Sequence, residues 1–310
     1  AALSPNHRCS VHILVARRNR AGDGVVVGPQ QMLGNQRFDD AALSYAAPED
    51  GRFKQAVIRT VERLSGQNRA QRIYREVKRG LGPGSNVWAE AVRGLNVRVN
   101  YDARRLAAVP RTGPLVVVAN HPFGVVDGLV LCHLVSLVRR EFKVVAMSTL
   151  CRVPEVRDYV LPINFAETAE AAATSARSRR EARALLKAGG CLIIFPGGGV
   201  STSRAPFGPA VDADWHPFTG RLVMAARAAV LPVQFEGQNS RLFQLVSRFS
   251  YTLRLSLLVR ETLSRIGSDI HVRIGEVLPF EALGRTSDPK LLVARLRALT
   301  YAIGPERLAA

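Results

Sequence analysis

The sequence has little lysine, few aromatic residues and no long apolar run. Only five of its 43 basic residues are Lys, and aromatic residues make up 6% of the 310 residues. The best apolar run, 125–138, is interrupted by Asp127 and His133 and is shorter than the ~20 residues that cross a bilayer. We therefore predict no transmembrane span, and no signal peptide, because no basic segment precedes an apolar one at the start.

Cysteine is also scarce. The four residues, at positions 9, 132, 151 and 191, form no pair at metal-ligand spacing. We therefore expect neither a disulfide framework nor a metal site, and a reducing compartment fits best. The 47% of hydrophobic residues and 22% of charged residues are typical of a globular protein and exclude disorder of the whole chain.

Acidic residues are few relative to basic ones. The 25 Asp and Glu leave a net charge of +18 and a pI near 11.0. This balance indicates an anionic partner: nucleic acid, an anionic lipid surface or a phosphorylated substrate. The arginines are spread along the chain without a nucleic-acid recognition motif, so a nucleic-acid-binding protein is kept only as an alternative.

The pattern divides the chain into three parts. Residues 1–48 are predicted to be poorly ordered, 49–100 to form a basic amphipathic helical region, and 101–310 to form the main domain. Within 51–79 the apolar residues recur at helical spacing, with arginines around them, at Phe53, Val57, Val61 and Leu64. We expect this helix to lie on an anionic membrane surface, with the apolar stripe facing the bilayer or the main domain.

Strands and helices alternate in the main domain. This alternation predicts an α/β fold with a largely parallel sheet flanked by helices. The predicted strands are 97–99, 114–119, 142–147, 161–165, 191–195, 230–235 and 269–274. The predicted helices are 87–93, 127–140, 149–159, 168–188, 218–228, most of 240–266, and 289–303.

Two loops follow buried strands. Functional loops of such sheets follow the carboxyl ends of strands, which selects 120–127 and 196–216. The first loop reads Asn120-His121-Pro122-Phe123-Gly124-Val125-Val126-Asp127-Gly128. Asp127 can accept a hydrogen bond from one nitrogen of His121 and leave the other free to take a proton. The alternative makes Asp127 a helix cap and His121 an ordinary loop residue.

The second loop begins with a glycine-rich turn. It comprises Phe195, Pro196, Gly197, Gly198 and Gly199, followed by Val200 and Ser201. Three successive glycines allow backbone N–H groups to approach an anion closely. The alternative is a tight turn leading into a surface loop.

Together these segments resemble the glycerolipid (lysophosphatidic-acid, PlsC-like) acyltransferase superfamily. The first loop is similar to its Asn-His-x₄-Asp motif, with one extra residue before Asp127. It is closer to the bacterial haemolysin-like branch, Asn-His-Pro-Phe-Gly-x-x-(Asp/Glu)-Gly. The glycine turn resembles the Phe-Pro-Glu-Gly-Thr block, and Val230-Leu231-Pro232-Val233 resembles the fourth block. The resemblance extends over about 110–274.

The sequence departs from the family at two positions. Gly197 stands where the family commonly has Glu. The family's Ile-Asp-Arg block corresponds to 161–165, where the phosphate-binding Arg is absent. If the acceptor carries a phosphate, another cation must replace that Arg, and Arg152, Arg204 and Arg241 are the candidates.

The resemblance implies a glycerol-3-phosphate acyltransferase-like fold and a peripheral-membrane O-acyltransferase of lipid metabolism. The donor is expected to be acyl-CoA or acyl-carrier protein, with no bound cofactor. The acceptor is expected to be a lysolipid of the lysophosphatidic-acid or lyso-ornithine-lipid type. The place of action is expected to be the cytoplasmic, inner face of the cell membrane.

The same resemblance assigns the site residues. His121 is the expected general base and Asp127 orients it. Substrate contacts are expected from Asn120, Phe195, Pro196, Gly197, Gly198, Gly199, Arg204 and Arg241. An α/β hydrolase acting on lipid esters is an alternative, disfavoured because Gly199-Val200-Ser201-Thr202-Ser203 does not complete a G-x-S-x-G elbow.

Overall fold

The computed structural model of the protein describes residues 55–56, 60, 63–164, 168–205, 208–249, 251–284 and 286–304. The predicted disordered segment 1–48 lies outside these residues. So do Phe53, Val57 and Val61 of the predicted apolar stripe. Leu64, the remaining residue of that stripe, is 84% exposed.

Helices α1 (Gln67–Gly80) and α2 (Val87–Gly94) precede the sheet. Ile73 and Val77 of α1 pack against Gly94, where an added Cβ would lie 2.3 Å from Val77 Cγ2. Ile73 and Val77 of α1 thus pack on α2, while Tyr74 donates a hydrogen bond of 2.8 Å to Glu155. The exposed residues of α1 include Arg69, Arg72, Arg75 and Arg79. The face against which the predicted stripe lies stays a prediction.

Seven strands form the main sheet, and two shorter ones, β6 and β7, form a separate ribbon. The seven are β1 (Arg98–Tyr101), β2 (Leu115–Ala119), β3 (Phe142–Met147), β4 (Val160–Ile163), β5 (Cys191–Ile194), β8 (Ala229–Phe235) and β9 (Asp269–Ile274); the ribbon is β6 (Thr202–Ser203) and β7 (Ala210–Val211). The order in the main sheet is β1-β9-β8-β2-β5-β3-β4. The β8–β9 pair is antiparallel and the other five pairs are parallel. The predicted α/β class with a largely parallel sheet is confirmed.

Strand β2 lies between β8 and β5 in the middle of this sheet. All five of its residues are buried, because helices cover both faces of the sheet. A strand buried on both faces has a continuous apolar sequence, here Leu-Val-Val-Val-Ala, instead of an alternating one. This is why the strand could be recognised from the sequence.

Helices flank the sheet, and all of them except the short α3 correspond to predicted helices. They are α3 (Ala103–Ala107), α4 (Val125–Ser136), α5 (Ala169–Lys187), α6 (Phe218–Ala226), α7 (Arg241–Ser247), α8 (Tyr251–Ser264) and α9 (Pro289–Ala302). Thr168 caps α5 as predicted, accepting a hydrogen bond from the N–H of Ala171 at 3.1 Å.

Two local predictions were wrong. Segment 149–159 is not one α-helix but two 3₁₀ turns, Ser148–Arg152 and Arg157–Tyr159. Pro154 lies between them, and its missing N–H and its ring oppose a continuous helix. The loop 196–216 is not wholly irregular, because it contains the antiparallel ribbon of β6 and β7.

A buried arginine ties the loops at the amino ends of the central strands. The Arg139 guanidinium donates hydrogen bonds of 2.8 Å to the carbonyls of Pro110, Gly113 and Gly189. A buried cation is tolerated when its donors are satisfied in this way. Among the residues that the structure describes, no helix is both long and apolar enough to cross a membrane.

The register brings the two candidate loops together. Val118 of β2 pairs with Ile194 of β5, so Asn120 and Pro196 begin their loops at the same edge of the sheet. Strand β8, on the other side of β2, ends at that edge as well, because Ala119 pairs with Val233. Three loops therefore converge there, as expected for the carboxyl ends of adjacent parallel strands.

Candidate active site

The loop between β2 and α4 turns sharply at Gly124. Its φ is +82°, a conformation that favours glycine. An added Cβ would also lie 3.1 Å from both Leu258 Cδ2 and Val200 Cγ2. This turn accommodates the extra residue between His121 and Asp127, since α4 begins at Val125 and places Asp127 in its first turn.

Asp127 is fully buried beneath the loop. Its Oδ2 accepts hydrogen bonds from the backbone N–H groups of Phe123, at 2.8 Å, and Gly124, at 2.9 Å. Burial raises the pKa of this carboxyl above its usual range, while the contact with His121 and the two N–H groups act in the opposite direction. The helix-cap interpretation is therefore correct only in part: Gly124 is the N-cap, and Asp127, the third residue of the helix, accepts from its N–H and holds the loop onto the helix start.

The same carboxylate oxygen also contacts the histidine. His121 Nδ1 lies 3.1 Å from Asp127 Oδ2, which confirms the predicted proximity of the two side chains. The two atoms are within hydrogen-bonding distance but not aligned as an ideal hydrogen bond. A proton on Nδ1 leaves the lone pair of Nε2 as the acceptor.

The glycine-rich turn supplies a wall for the histidine ring. Phe195 stacks on His121 with the ring centroids 4.0 Å apart and the planes inclined by 27°. The His121 side chain remains 19% exposed, so solvent and substrate can reach it. The two loops selected from the sequence therefore form one site, with Phe195 limiting the orientations open to the imidazole.

The turn itself is closed by backbone hydrogen bonds. The N–H of Gly198 donates to the carbonyl of Phe195 at 3.0 Å. The carbonyl of the buried Pro196 accepts from the N–H of His216 at 2.9 Å. These bonds fix the turn beside His121, and substrate contact by its residues stays a prediction.

Asp212 is the site residue that sequence reasoning missed. It is 1% exposed, and its Oδ1 accepts from the backbone N–H of His121, at 3.1 Å, and from the hydroxyl of Ser201. Its Oδ2 accepts from the indole N–H of Trp215 at 2.9 Å. Asp212 thus ties the His121 loop to the loop after the glycine turn. The nearby Trp215 is the available sequence signal, because a buried indole needs an acceptor.

Gly197 lies directly against this carboxylate. A Cβ at position 197 would lie 3.0 Å from Asp212 Cβ and 3.2 Å from its Cγ. A glutamate, the common residue of the resembling family, would compete with Asp212 for that space. The departure at Gly197 is therefore explained physically, since a carboxylate reaches the same place from position 212.

Asn120 joins the ends of two strands. Its Nδ2 donates to the carbonyl of Phe235 at 2.9 Å, and its Oδ1 accepts from the N–H of Phe235 at 2.7 Å. Both ends of the amide are thus engaged in holding β2 to β8, and the residue is buried. The contact with substrate that we predicted for Asn120 remains a prediction.

The substrate contacts expected of Arg204 and Arg241 stay predictions. Arg204 is exposed beyond β6, Arg241 is exposed at the start of α7, and Arg152 is half-buried at the end of the turn Ser148–Arg152. Helix α8 also presents Arg254 to the glycine turn, because a Cβ at Gly199 would lie 3.3 Å from its Nη2. Arg265, just beyond the same helix, stacks over the Phe123 ring at 4.3 Å and donates to the carbonyl of Gln238 at 2.7 Å.

The described residues are not arranged as a serine hydrolase site or as a metal site. Ser201 is buried and its hydroxyl donates to Asp212, not to a histidine, so it is not arranged as a hydrolase nucleophile. Within the described ranges, no group of three or more His, Cys, Asp or Glu residues could hold a metal ion. A cleft of about 330 Å³ lies away from His121, between Tyr101, Arg105 and His271.

Comparison with known proteins follows this geometry. The chain is 21% identical over 210 residues to a lyso-glycine lipid O-acyltransferase from Phocaeicola vulgatus, covering 64% of this chain and 72% of that protein. The structure of this chain aligns with that of the 1-acyl-sn-glycerophosphate (LPA) acyltransferase PlsC from Thermotoga maritima at 17% identity and a TM-score of 0.45. That alignment covers 81% of this chain and 87% of the other.

The family is shown by a match over most of the chain. Residues 61–305 match the Acyltransferase family. This match extends beyond both ends of the 110–274 region where the motifs were recognised. The matched region includes the His121 loop, the glycine turn and Asp212. The prediction of an acyltransferase is thereby confirmed, and the chain belongs to the Acyltransferase family.

Proposed function

We propose that the protein transfers a fatty acyl group from a thioester donor, acyl-CoA or acyl-carrier protein, to the hydroxyl of a lysolipid. The observation that carries this proposal is the 3.1 Å contact between His121 Nδ1 and Asp127 Oδ2 in a loop fixed to the glycine turn. That contact directs Nε2 of a partly exposed imidazole towards an incoming hydroxyl. A proton acceptor next to open space is the minimum that O-acyl transfer requires.

The reaction would proceed by proton transfer coupled to attack. His121 Nε2 takes the proton of the acceptor hydroxyl as its oxygen bonds to the thioester carbonyl carbon. The tetrahedral intermediate then collapses, the C–S bond breaks, and the thiolate leaving group takes the proton from the imidazolium. A buried Asp127 with a raised pKa is a strong acceptor for Nδ1–H, so it favours the imidazolium formed in between.

We propose Arg254 as the cation that receives the anionic part of the acceptor. Its guanidinium lies beside Gly199, on the turn that also supports His121 through Phe195. An arginine next to a glycine-rich backbone offers charge-assisted hydrogen bonds to a phosphate or carboxylate. Arg152, Arg204 and Arg241 were the sequence candidates; Arg204 and Arg241 are exposed and Arg152 is half-buried. Their participation is an alternative that substitution distinguishes.

The acceptor would be a lysolipid of the lysophosphatidic-acid or amino-acid-lipid type. The Phocaeicola vulgatus relative is a lyso-glycine lipid O-acyltransferase, which supports including such lipids among the candidates. The high positive charge and the exposed arginines of α1 favour action at an anionic membrane surface, which we place at the inner face of the cell membrane.

The test uses purified protein, labelled acyl-CoA or acyl-carrier protein, and a panel of lysolipids. The panel comprises lysophosphatidic acid, lyso-ornithine lipid and lyso-glycine lipid. We expect labelled diacyl product from at least one pair, lost in His121→Ala. If no acceptor is acylated by either donor, the proposal is wrong. Retention on DNA that survives His121→Ala, without acyl transfer, would favour the nucleic-acid alternative.

A further inference from the structure

Helix α7 presents apolar side chains to solvent beside the site. Leu242, Leu245 and Phe249, just beyond its end, are 44%, 51% and 81% exposed. Leu242 and Leu245 are three residues apart and therefore share one face of the helix, and Phe249 follows in the turn after Ser247. We call these three side chains the α7 stripe. Large apolar side chains gathered on one face of a soluble domain usually mark a contact surface.

The opposite face of α7 is firmly anchored. Phe243 is fully buried and packs in a small cluster with Leu257 and Leu258 of α8. The Gln244 side chain accepts a hydrogen bond of 2.8 Å from the N–H of Ser203. Glu261 accepts from the N–H and hydroxyl of Ser240, the residue that caps α7. The α7 stripe is therefore exposed on a helix held in place, not on a loose segment.

This anchor also connects α7 with the catalytic loop. Leu258 contacts the underside of the turn, since a Cβ at Gly124 would lie 3.1 Å from its Cδ2. The ribbon that β6 forms after the glycine turn touches α7 through Gln244. The α7 stripe consequently lies on elements that surround the site, which is where a lipid substrate would have to enter.

The segment that carries the stripe has charge of one sign. The segment 241–250 contains two arginines and no acidic residue. Arg241 and Arg248 are exposed, and so is Arg204, which follows the Ser203 bonded to Gln244. A stripe of Leu and Phe surrounded by arginines fits an anionic bilayer, where apolar groups enter the acyl region and cations meet head groups.

We propose that the α7 stripe docks the protein on anionic membrane, with Arg204, Arg241 and Arg248 at the head groups. This inference rests on the proposed function, because a lipid substrate is the reason to dock there. Ile73 and Val77 of α1 already pack on α2, so these side chains do not compete for this role. A second copy of this chain is disfavoured as the occupant of the stripe. A stable dimer interface buries ~1,200–2,000 Å², and three side chains supply only a small part of that area.

The test compares Phe249→Asp with the matched control Leu291→Asp. Leu291 is also an exposed apolar residue, at 62%, but it lies on α9. Binding is measured by co-sedimentation with phosphatidylcholine vesicles with and without phosphatidylglycerol. We expect Phe249→Asp to lower binding to the anionic vesicles about tenfold or more, and Leu291→Asp to leave it unchanged. Added salt should weaken wild-type binding as the arginine contribution is screened.

The outcomes separate this inference from the proposed function. Phe249→Asp should keep wild-type turnover with a water-soluble, short-chain lysolipid, because Phe249 lies outside the catalytic machinery. Equal vesicle binding by the wild type and Phe249→Asp, or an equal loss in Leu291→Asp, would overturn the inference. A wild-type dimer that Phe249→Asp dissociates would overturn it in favour of a second copy. Absence of turnover by the wild type on every lysolipid would instead refute the proposed function.

Discussion

Replacing Asp212 by Asn tests whether this buried carboxylate organises the site. The Asp212 carboxylate accepts three hydrogen bonds, from the His121 N–H, the Ser201 hydroxyl and the Trp215 indole N–H. An asparagine has the same shape but only one acceptor oxygen. Either orientation of its amide turns an NH₂ group towards the N–H of Trp215 or of His121. In either orientation, one hydrogen bond to the carboxylate is lost, and the NH₂ group of the asparagine instead faces another N–H donor.

The expected loss of stability follows from this lost hydrogen bond and from the donor left without an acceptor. A buried hydrogen bond to a charged group contributes about 2 kcal/mol, and an unsatisfied buried donor costs a similar amount. We expect Asp212→Asn to lower the free energy of unfolding by about 2 kcal/mol. Since the carboxylate holds the backbone of His121, kcat should fall ~10–10²-fold while the KM values change little.

The assay is urea unfolding together with steady-state acyl transfer, with Asp214→Asn as the control. Asp214 is two residues away and exposed, so its replacement should change neither quantity. Adding Trp215→Phe removes one of the opposed donors. The double variant should therefore lose about 1 kcal/mol less than the sum of the single losses. Stability of Asp212→Asn equal to that of Asp214→Asn, or strict additivity in the double variant, would refute this reasoning.

Three further predictions concern the loops and the cation. Asp127→Asn should lower kcat ~10²–10⁴-fold. The pKa of Asp127 is raised in the folded protein, so protonation of this carboxyl stabilises the wild type fully below the unfolded pKa of 3.8, and this stabilisation is lost as the pH rises through the folded pKa. Asparagine does not titrate. In urea titrations from pH 4 to pH 7, the stability of Asp127→Asn relative to the wild type should therefore increase. Gly124→Ala should destabilise more than Gly84→Ala, by about 1 kcal/mol or more in the same titrations. Both have φ near +80°, but only Gly124 has neighbours within 4 Å of an added Cβ. Arg254→Gln should raise the KM of the acceptor about tenfold or more without a similar rise in the KM of the donor. Arg204→Ala should leave the KM of the acceptor unchanged. An equal rise in the acceptor KM in both variants would reject Arg254 as the acceptor's cation.

The central part of the fold could be predicted from the sequence because its strands are buried on both faces. Leu115–Ala119 and Cys191–Ile194 are continuous apolar runs, and a loop that follows such a strand is a natural place for a site. The same rule predicts that His121 and the glycine turn lie at one edge of the sheet. The contact between Phe195 and His121 is a direct consequence of the parallel pairing of β2 with β5.

Residues that reach the site from distant parts of the chain could not be predicted in this way. Asp212 approaches through a ribbon of two-residue strands, too short to leave a periodic pattern. Arg254 is placed by the packing of α8 across two loops, and one helical arginine among many carries no sequence signal. The helix predicted over 149–159 is divided into two 3₁₀ turns by Pro154, a local effect that the helical pattern of the flanking residues conceals.

The most direct test of the account is the turnover of His121→Ala compared with His216→Ala. His121 is the proposed base, whereas His216 is an exposed residue whose ring accepts the N–H of Phe218 at 3.2 Å. With the acceptor and donor that the wild type uses, we predict a fall in kcat of ~10²–10⁴-fold for His121→Ala, with an unchanged urea midpoint, and near wild-type turnover for His216→Ala. Near wild-type turnover in a folded His121→Ala protein would contradict the assignment of the base, and with it the proposed mechanism.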